Sequence, residues 1–596
     1  MSRRRILLSG VIAACLTAAC VPNAQAEADI LEVIPDSALG FVLINNITEF
    51  DGKIVQLAGQ IGAPPMSPLA MFKMSTGMTA GLNEKAPMAV VAMPSEADAP
   101  FPTPMFIGRV DDIDELRKQI AAMDVRKAGG AEPDAEQRTL VGEKDGHALL
   151  ALPGQDKLLK QVLESKKSIA AEVAGWKKPL GKSDVAAVVM PAGVKVFSNT
   201  ILAELRKAKE MFKQLDGGNM EQAIAGFEMY EMFVEAAAKE TDKVALLGKI
   251  DEKGNVFLTK RVSFVPGPGG EAAAAFAEVK PVEADLLAGL PDGPYVAAGG
   301  GVFPEKLTEM MLRMSVGVIK AMPELYGIAP EKADKLIALS AESVKGMQGM
   351  SMLMGVGKGD DPLYGNMVGF VKVDNSAEFM KHYGKYIEGY NELVGDESAF
   401  LTRSEVKNVT IGGKPGLHLS MKIPTTPAAA EVPNYDKLME AMFGPGEKIN
   451  VYMATVDETT IAWGYTDKKK LLATLKALET PKKSLSKNKQ LAKTKKLLPD
   501  GSQWVGYVSP QGSVTFANRM MGVMLKAMKA GGDVDKTGAG GNTLDLGPGL
   551  SPSIPQFPKT PPVGFAVKVV DGQLEATLVV PGEVIKAIGE YSAELK

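Results

Sequence analysis

The chain has 596 residues, 45% apolar and 23% charged, with aromatics at 6% and a formal net charge of −4. That length exceeds what one hydrophobic core usually serves, and the composition excludes wholesale disorder. The small net charge excludes long-range steering of nucleic acid or any strongly charged partner.

Arg3-Arg4-Arg5, the apolar run Ile6–Ala19 and Ala24-Gln25-Ala26 supply the three parts of a secretory signal peptide cut before Glu27. Residues 1–26 are therefore expected to leave the chain, which is bound for the periplasm or the exterior. Ile12-Ala13-Ala14-Cys15 fits a bacterial lipobox, and Thr17-Ala18-Ala19-Cys20 fits it less well, so lipid anchoring through Cys15 or Cys20 is the alternative. With cleavage before Glu27 both Cys depart, and no disulfide or thiol nucleophile remains.

The first half reads as short strands with helices inserted. Leu39–Ile44, Met88–Met93 and Met105–Val110 are strand-like, the last followed by a helical pattern with Ile113, Leu116, Ile120 and Met123. Arg138–Val141 and His147–Leu152 form a hairpin at Lys144-Asp145-Gly146, and Asp156 opens a short helix. Val185–Met190 is a strand that runs into Pro191-Ala192-Gly193, read as a turn, with Asn199 or Thr200 capping a helix Ile201–Leu215. A second helix, Met220–Lys239, and strands Lys243–Ile250 and Val256–Val265 complete the half.

From Asp285 the order restarts. Leu290-Pro291-Asp292 mirrors Ile34-Pro35-Asp36, and Tyr295–Ala298, Met350–Gly355 and Met367–Val373 follow as strands, with a helix Glu305–Met322 between the first two. After a helix Ser376–Tyr390, Val409–Ile411 and Leu417–Met421 take the place of the earlier hairpin, and Asn450–Thr455 with Thr460–Tyr465 reads as an added pair. Trp504–Val508 precedes Pro510-Gln511-Gly512, whose frame P-x-G-x-x-x-F-x-N repeats Pro191 to Asn199, and a helix Ala517–Met528 follows. Strands Val563–Val569 and Gln573–Val580 close the chain; 531–562 is rich in Gly and Pro and reads as a loop. The expected fold class is α+β: two related halves, 27–283 and 284–596, each a largely antiparallel sheet packed by helices.

No catalytic set emerges. His147, His382 and His418 show no metal-ligand spacing, no nucleophile elbow occurs, and the Gly-rich pieces lack the Lys-Ser/Thr of a phosphate loop. No cofactor is expected. The 32 Met are the unusual feature. Met347, Met350, Met352 and Met354 crowd one strand, while Met310, Met311 and Met314, and Met520, Met521, Met524 and Met528, lie on two helices. Met commonly replaces Leu in cores; the functional alternative is an adaptable surface for lipid or peptide, for which those seven helical Met are the candidates. Lys468–Lys496 is dense in lysine and suits an anionic envelope surface, with no interleaved aromatics for nucleic acid.

A signal peptide, an Ile-Pro-Asp strand start and α+β repeats together resemble large exported bacterial proteins of unknown function. The resemblance implies no catalytic residues. The expected function is a non-enzymatic binding or structural protein of the periplasm or cell envelope, with an unidentified protein or apolar ligand as partner. The alternatives are a lipid carrier with a Met-lined groove and a hydrolase using carboxylates brought together by folding.

Overall fold

The computed structural model describes the chain apart from residues 1–26, 66, 77, 96–100, 214–219, 268–270, 284, 322–329, 360, 395–402, 424–434, 447, 467, 479–483, 530–554 and 596. The expected signal peptide and most of the Gly/Pro-rich loop thus lie outside the described residues.

In chain order the first elements are α1 (Glu27–Val33), β1 (Gly40–Ile44), α2 (Ile47–Gln60), α3 (Pro68–Thr76), β2 (Met88–Met93), β3 (Thr103–Arg109), α4 (Ile113–Lys127), β4 (Leu140–Lys144) and β5 (His147–Ala151). Next come α5 (Asp156–Glu164), α6 (Lys177–Lys182), β6 (Val185–Val189), α7 (Pro191–Lys213), α8 (Met220–Glu240), β7 (Thr241–Ile250), β8 (Val256–Phe264) and α9 (Glu271–Ala277). The later chain forms β9 (Tyr295–Val302), α10 (Glu305–Ala321), α11 (Pro330–Val344), β10 (Met347–Gly355), β11 (Met367–Val373), α12 (Ser376–Leu393), β12 (Ser404–Ile411), β13 (Lys414–Lys422) and α13 (Tyr435–Phe443). It ends with β14 (Lys448–Asp457), β15 (Thr460–Tyr465), α14 (Lys468–Leu478), α15 (Lys489–Lys495), β16 (Trp504–Val508), α16 (Pro510–Lys529), β17 (Val563–Val570), β18 (Gln573–Val580) and α17 (Gly582–Glu594). The fold is α+β, with antiparallel strand pairing throughout the described residues.

The chain separates into two compact units. The first holds Met1–Ala208, Glu231–Ala277 and Val570–Ala593; the second holds Lys209–Tyr230, Glu278–Val569 and the last residues. A single cut at 283/284 misses this exchange, because β18 pairs along its length with β8, from Leu574 opposite Val262 to Val580 opposite Val256.

Within the first unit the strands pair in the order β4-β5-β3-β2-β1-β6-β7-β8-β18. Within the second the order is β12-β13-β14-β15-β11-β10-β9-β16-β17. The run 4-5-3-2-1-6-7 therefore recurs as 14-15-11-10-9-16-17. This corrects one expectation: the additional pair is β12–β13, and β14–β15 holds the position of β4–β5. Sequence order suggested the reverse, because it carries no information on which hairpin docks beside β3 or β11.

The repeated motifs sit in matching hydrogen bonds. Ile169 N donates to Ile34 O at 3.0 Å, and Leu485 N donates to Leu290 O at 2.8 Å. Isolated bridges join Pro35 to Ser168 and Pro291 to Ser484. Asp111 N donates to Gly81 O at 2.9 Å, and Asp374 N to Gly346 O at 2.8 Å. Asp112 and Asn375 then cap α4 and α12 with their side chains, satisfying backbone N–H groups of the first turn.

The P-x-G frame has a packing reason. Helices α7 and α16 begin at Pro191 and Pro510 themselves, so the expected turn with a cap at Asn199 or Thr200 is not formed. Proline suits the first helical position, where its missing N–H costs nothing. Two residues on, a Cβ at Gly193 would stand 1.8 Å from Leu39 O, and one at Gly512 would stand 1.8 Å from Tyr295 O. Only glycine lets each helix start press against the strand backbone there.

Candidate functional site

The two faces of each sheet differ sharply. In the first unit Phe41, Leu43, Val91, Ile107, Leu149, Ala186, Val188 and Ala245 point to one side and are buried with Ile30, Leu31, Trp176 and Leu180. Burying each large side chain of this kind contributes about 1.5–3 kcal/mol. The register puts Val42, Val90, Ala187, Val189, Val244, Leu246 and Leu258 on the other side, and none of these seven is buried. Leu246 is 41% exposed. At one end this side is covered by α4, where Leu116 and Ile120 pack with Phe106 and Leu150.

The second unit repeats the division. Ala298, Leu353, Val368, Phe370, Tyr507 and Ala566 are buried on one side. Opposite residues across the pairings place Ala297, Gly299 and Gly301 of β9 on the other side, with Met350, Met352 and Met354 of β10. Met367, Gly369 and Val371 of β11, Trp463 of β15, Gly506 and Val508 of β16 and Phe565 of β17 complete it. Helix α12 covers the Val371 end through Phe379 and Ile387. Away from that end the surface is open among the described residues: Val508 is 47% and Phe565 42% exposed, while Met352, Met354, Met367 and Gly506 are half-buried.

This open side carries no charged residue among those positions. A sheet face left to water normally alternates to polar side chains. Here the positions named are apolar or glycine, which is the pattern of a surface meant to be covered. The glycines give it relief: a Cβ at Gly301 would stand 1.9 Å from the Trp504 ring, and one at Gly369 2.6 Å from the Trp463 ring. Each indole therefore packs against the backbone of a neighbouring strand.

The seven helical Met fall elsewhere. Met311, Met520, Met521 and Met524 are exposed, Met524 by 50%, so they do not fill a core in place of Leu; Met310 is half-buried. The side chains of Met314 and Met528 lie outside the described residues. Helix α10 packs on α11, whereas α16 packs on β9 and α13. The Met that share one surface are those of β10, two residues apart and so on one side of the strand. The cue was in the sequence, as Met350, Met352 and Met354.

Polar chemistry is concentrated in a cleft of about 570 Å³ in the second unit, lined by Tyr295, Val356, Lys358, Asp361, Lys470 and Gln511 among others. Lys470 Nζ donates to Asp361 Oδ2 and to Asn366 Oδ1, both at 2.8 Å. The Lys470 ammonium holds the Asp361 carboxyl below the usual carboxylate range. The Arg519 guanidinium donates to Val356 O, to Gly359 O and, at 2.7 Å, to Asp361 O. These charges are spent on each other and on backbone carbonyls, so the cleft reads as a clamp on Val356, Gly359 and Asp361.

The histidines lie apart. His147 is buried in β5 with Nδ1 2.9 Å from Asp145 O. His418 Nε2 sits 2.9 Å from Asn450 Oδ1 with its ring stacked on Tyr452, and His382 is 3.6 Å from Glu342 on α11. Among the described residues no cluster of His, Cys, Asp and Glu has metal-holding geometry, and no helix is long and apolar enough to cross a membrane.

One carboxyl is strongly perturbed. Asp184 is wholly enclosed, and burial pushes it from 3.8 up to about 9, against a smaller opposing pull from Lys249. Its Oδ2 accepts from Ile250 N at 3.3 Å, while its Oδ1 and the Oδ1 of buried Asn45 have no hydrogen-bond partner. Against known proteins, no family matches the chain, and neither a curated protein nor a solved structure does.

Proposed function

We propose that this chain is an exported, non-enzymatic binding protein of the periplasm or cell envelope, built from a duplicated α+β unit, that carries an apolar ligand of acyl-chain type. The observation that supports the ligand class is the open, uncharged sheet side of the second unit, from Met352 and Met354 to Val508 and Phe565. Water against such a surface is unfavourable by about 25 cal/mol per Å², and methionine adapts to ligands of varied shape. Export rests on the Arg3–Ala26 pattern, and duplication on the shared strand order and the paired Gly193 and Gly512 contacts.

Gentle purification followed by native mass spectrometry and solvent extraction tests the ligand. A co-purifying lipid-like molecule is expected, and Met352→Asp with Phe565→Asp should abolish it while the fold survives. A protein that emerges empty and takes up no fatty acid or phospholipid when offered them contradicts the reading.

A further inference from the structure

Helices α14 and α15 belong to a stretch dense in lysine. Residues 468–496 contain eleven Lys and a single acid, Glu479, in a chain whose net charge is only −4. Orientation is fixed from beneath: Leu471, Leu485, Leu491 and Thr494 are essentially inaccessible. Lys487, Lys489, Lys493 and Lys496 are all exposed, the last three at helical spacings of four and three that place them on one stripe. Of the neighbouring lysines, Lys470 pairs with Asp361 at 2.8 Å and Lys495, itself exposed, with Asp285 at 3.6 Å. Asp292, the remaining acid of that strand start, accepts from the Asn488 side chain at 2.9 Å.

The first unit shows the contrast. Its corresponding stretch, 157–182, carries seven Lys but also Glu164 and Glu172, and Lys160 and Lys177 pair with Glu164 and Glu32. There the charge is mixed, whereas in the second unit one sign dominates.

We infer that the Lys487–Lys496 stripe docks the protein on an anionic phospholipid bilayer. The composition selects this partner over others. Protein interfaces are enriched in Arg and aromatic anchors and depleted in Lys, and this surface has neither arginine nor an exposed large apolar residue between 484 and 500. Single-stranded nucleic acid needs aromatic platforms for its bases, which are absent there. A bilayer surface of phosphate headgroups demands only a density of cations at one level, which a lysine stripe supplies, and the attraction falls off within a Debye length. Docking of this kind uses the lysine surface alone and holds whether or not the sheet carries an acyl ligand.

Sedimentation of the purified chain with phosphatidylcholine vesicles, with and without phosphatidylglycerol, tests it. Binding is expected only to the anionic vesicles, and raising the salt should release it. K489E/K493E/K496E should weaken binding on the order of a hundredfold. K160E/K166E/K167E, with the same change of net charge in the first unit, should stay within about threefold of the parent. K489Q/K493Q/K496Q, which removes charge without reversing it, covers the case in which the first variant fails to fold; it should weaken binding on the order of tenfold. Equal loss in both triple-Glu variants, or parent binding that ignores phosphatidylglycerol, overturns the inference. So does binding to soluble polyphosphate with none to anionic vesicles, which would assign the stripe to an anionic polymer.

Discussion

The two units solve one local problem with different chemistry. At the entrance to β6 the buried side chain is Asp184, whose Oδ2 accepts from Ile250 N. At the entrance to β16 the matching position is Gln503, whose Oε1 accepts from Val569 N at 2.8 Å and whose Nε2 donates to Lys280 O at 2.7 Å. A primary amide is neutral and offers both a donor and an acceptor, so Gln503 is satisfied. A carboxylate offers only acceptors; protonation turns one oxygen into a donor, and burial favours that neutral form. This position therefore wants a neutral group that can accept one backbone hydrogen bond, and the first unit obtains it by holding a proton.

The likeness of the two units should be most sensitive at the glycines. Gly193→Ala and Gly512→Ala should each cost about 3 kcal/mol, read as a lower urea midpoint, because the new methyl meets a backbone carbonyl that cannot yield. A large loss at one site with none at the other would remove the shared packing role. The acid comes next. Because the folded-state value of Asp184 is raised, its contribution is fully present below pH 3.8, is lost as pH rises toward about 9 and changes no further above that. The slope over this window should reach about 1.4 kcal/mol per pH unit. Asp184→Asn should flatten it and make the chain more stable than the parent at pH 8, whereas Gln503→Glu should introduce a similar slope. A parent whose stability is flat across that window would contradict the assignment.

Smaller effects separate the open side from the helical Met. Met352→Asp or Phe565→Asp should weaken fatty-acid binding at least about tenfold by equilibrium titration, the cost of placing a charge against an acyl chain. Met311→Gln, Met520→Gln and Met524→Gln should change stability by less than about 0.5 kcal/mol, as exposed substitutions do, and leave that affinity unaltered.

The strands were legible in the sequence because their short apolar runs end in turn residues. Asp145-Gly146 and Asp571-Gly572 mark tight hairpins, and all four residues adopt positive φ. The P-x-G frame and the Pro-Asp starts also marked places that make the same hydrogen bonds and helix starts in both units. Three things stayed hidden. Pro191 and Pro510 looked like turns, since proline suits both a turn and a first helical position, and only the strand packed against Gly193 or Gly512 decides between them. The rank of β12–β13 depends on long-range pairing. The open side was invisible because Gly40–Ile44 and Tyr295–Val302 are apolar or glycine on both sides, and a run of that kind reads as a strand buried throughout.

The ligand surface can be probed directly through its own indoles. Trp463 and Trp504 lie on the open side of the second unit, while Trp176 is buried in the first with its Nε1 donating to Gln573 Oε1 at 2.8 Å. In a Trp176→Phe background, titration with a fatty acid brominated along its chain should quench the remaining fluorescence to saturation. It should fail to do so once Phe565 is replaced by Asp. Emission that stays constant across the titration would contradict an acyl chain lying on this sheet.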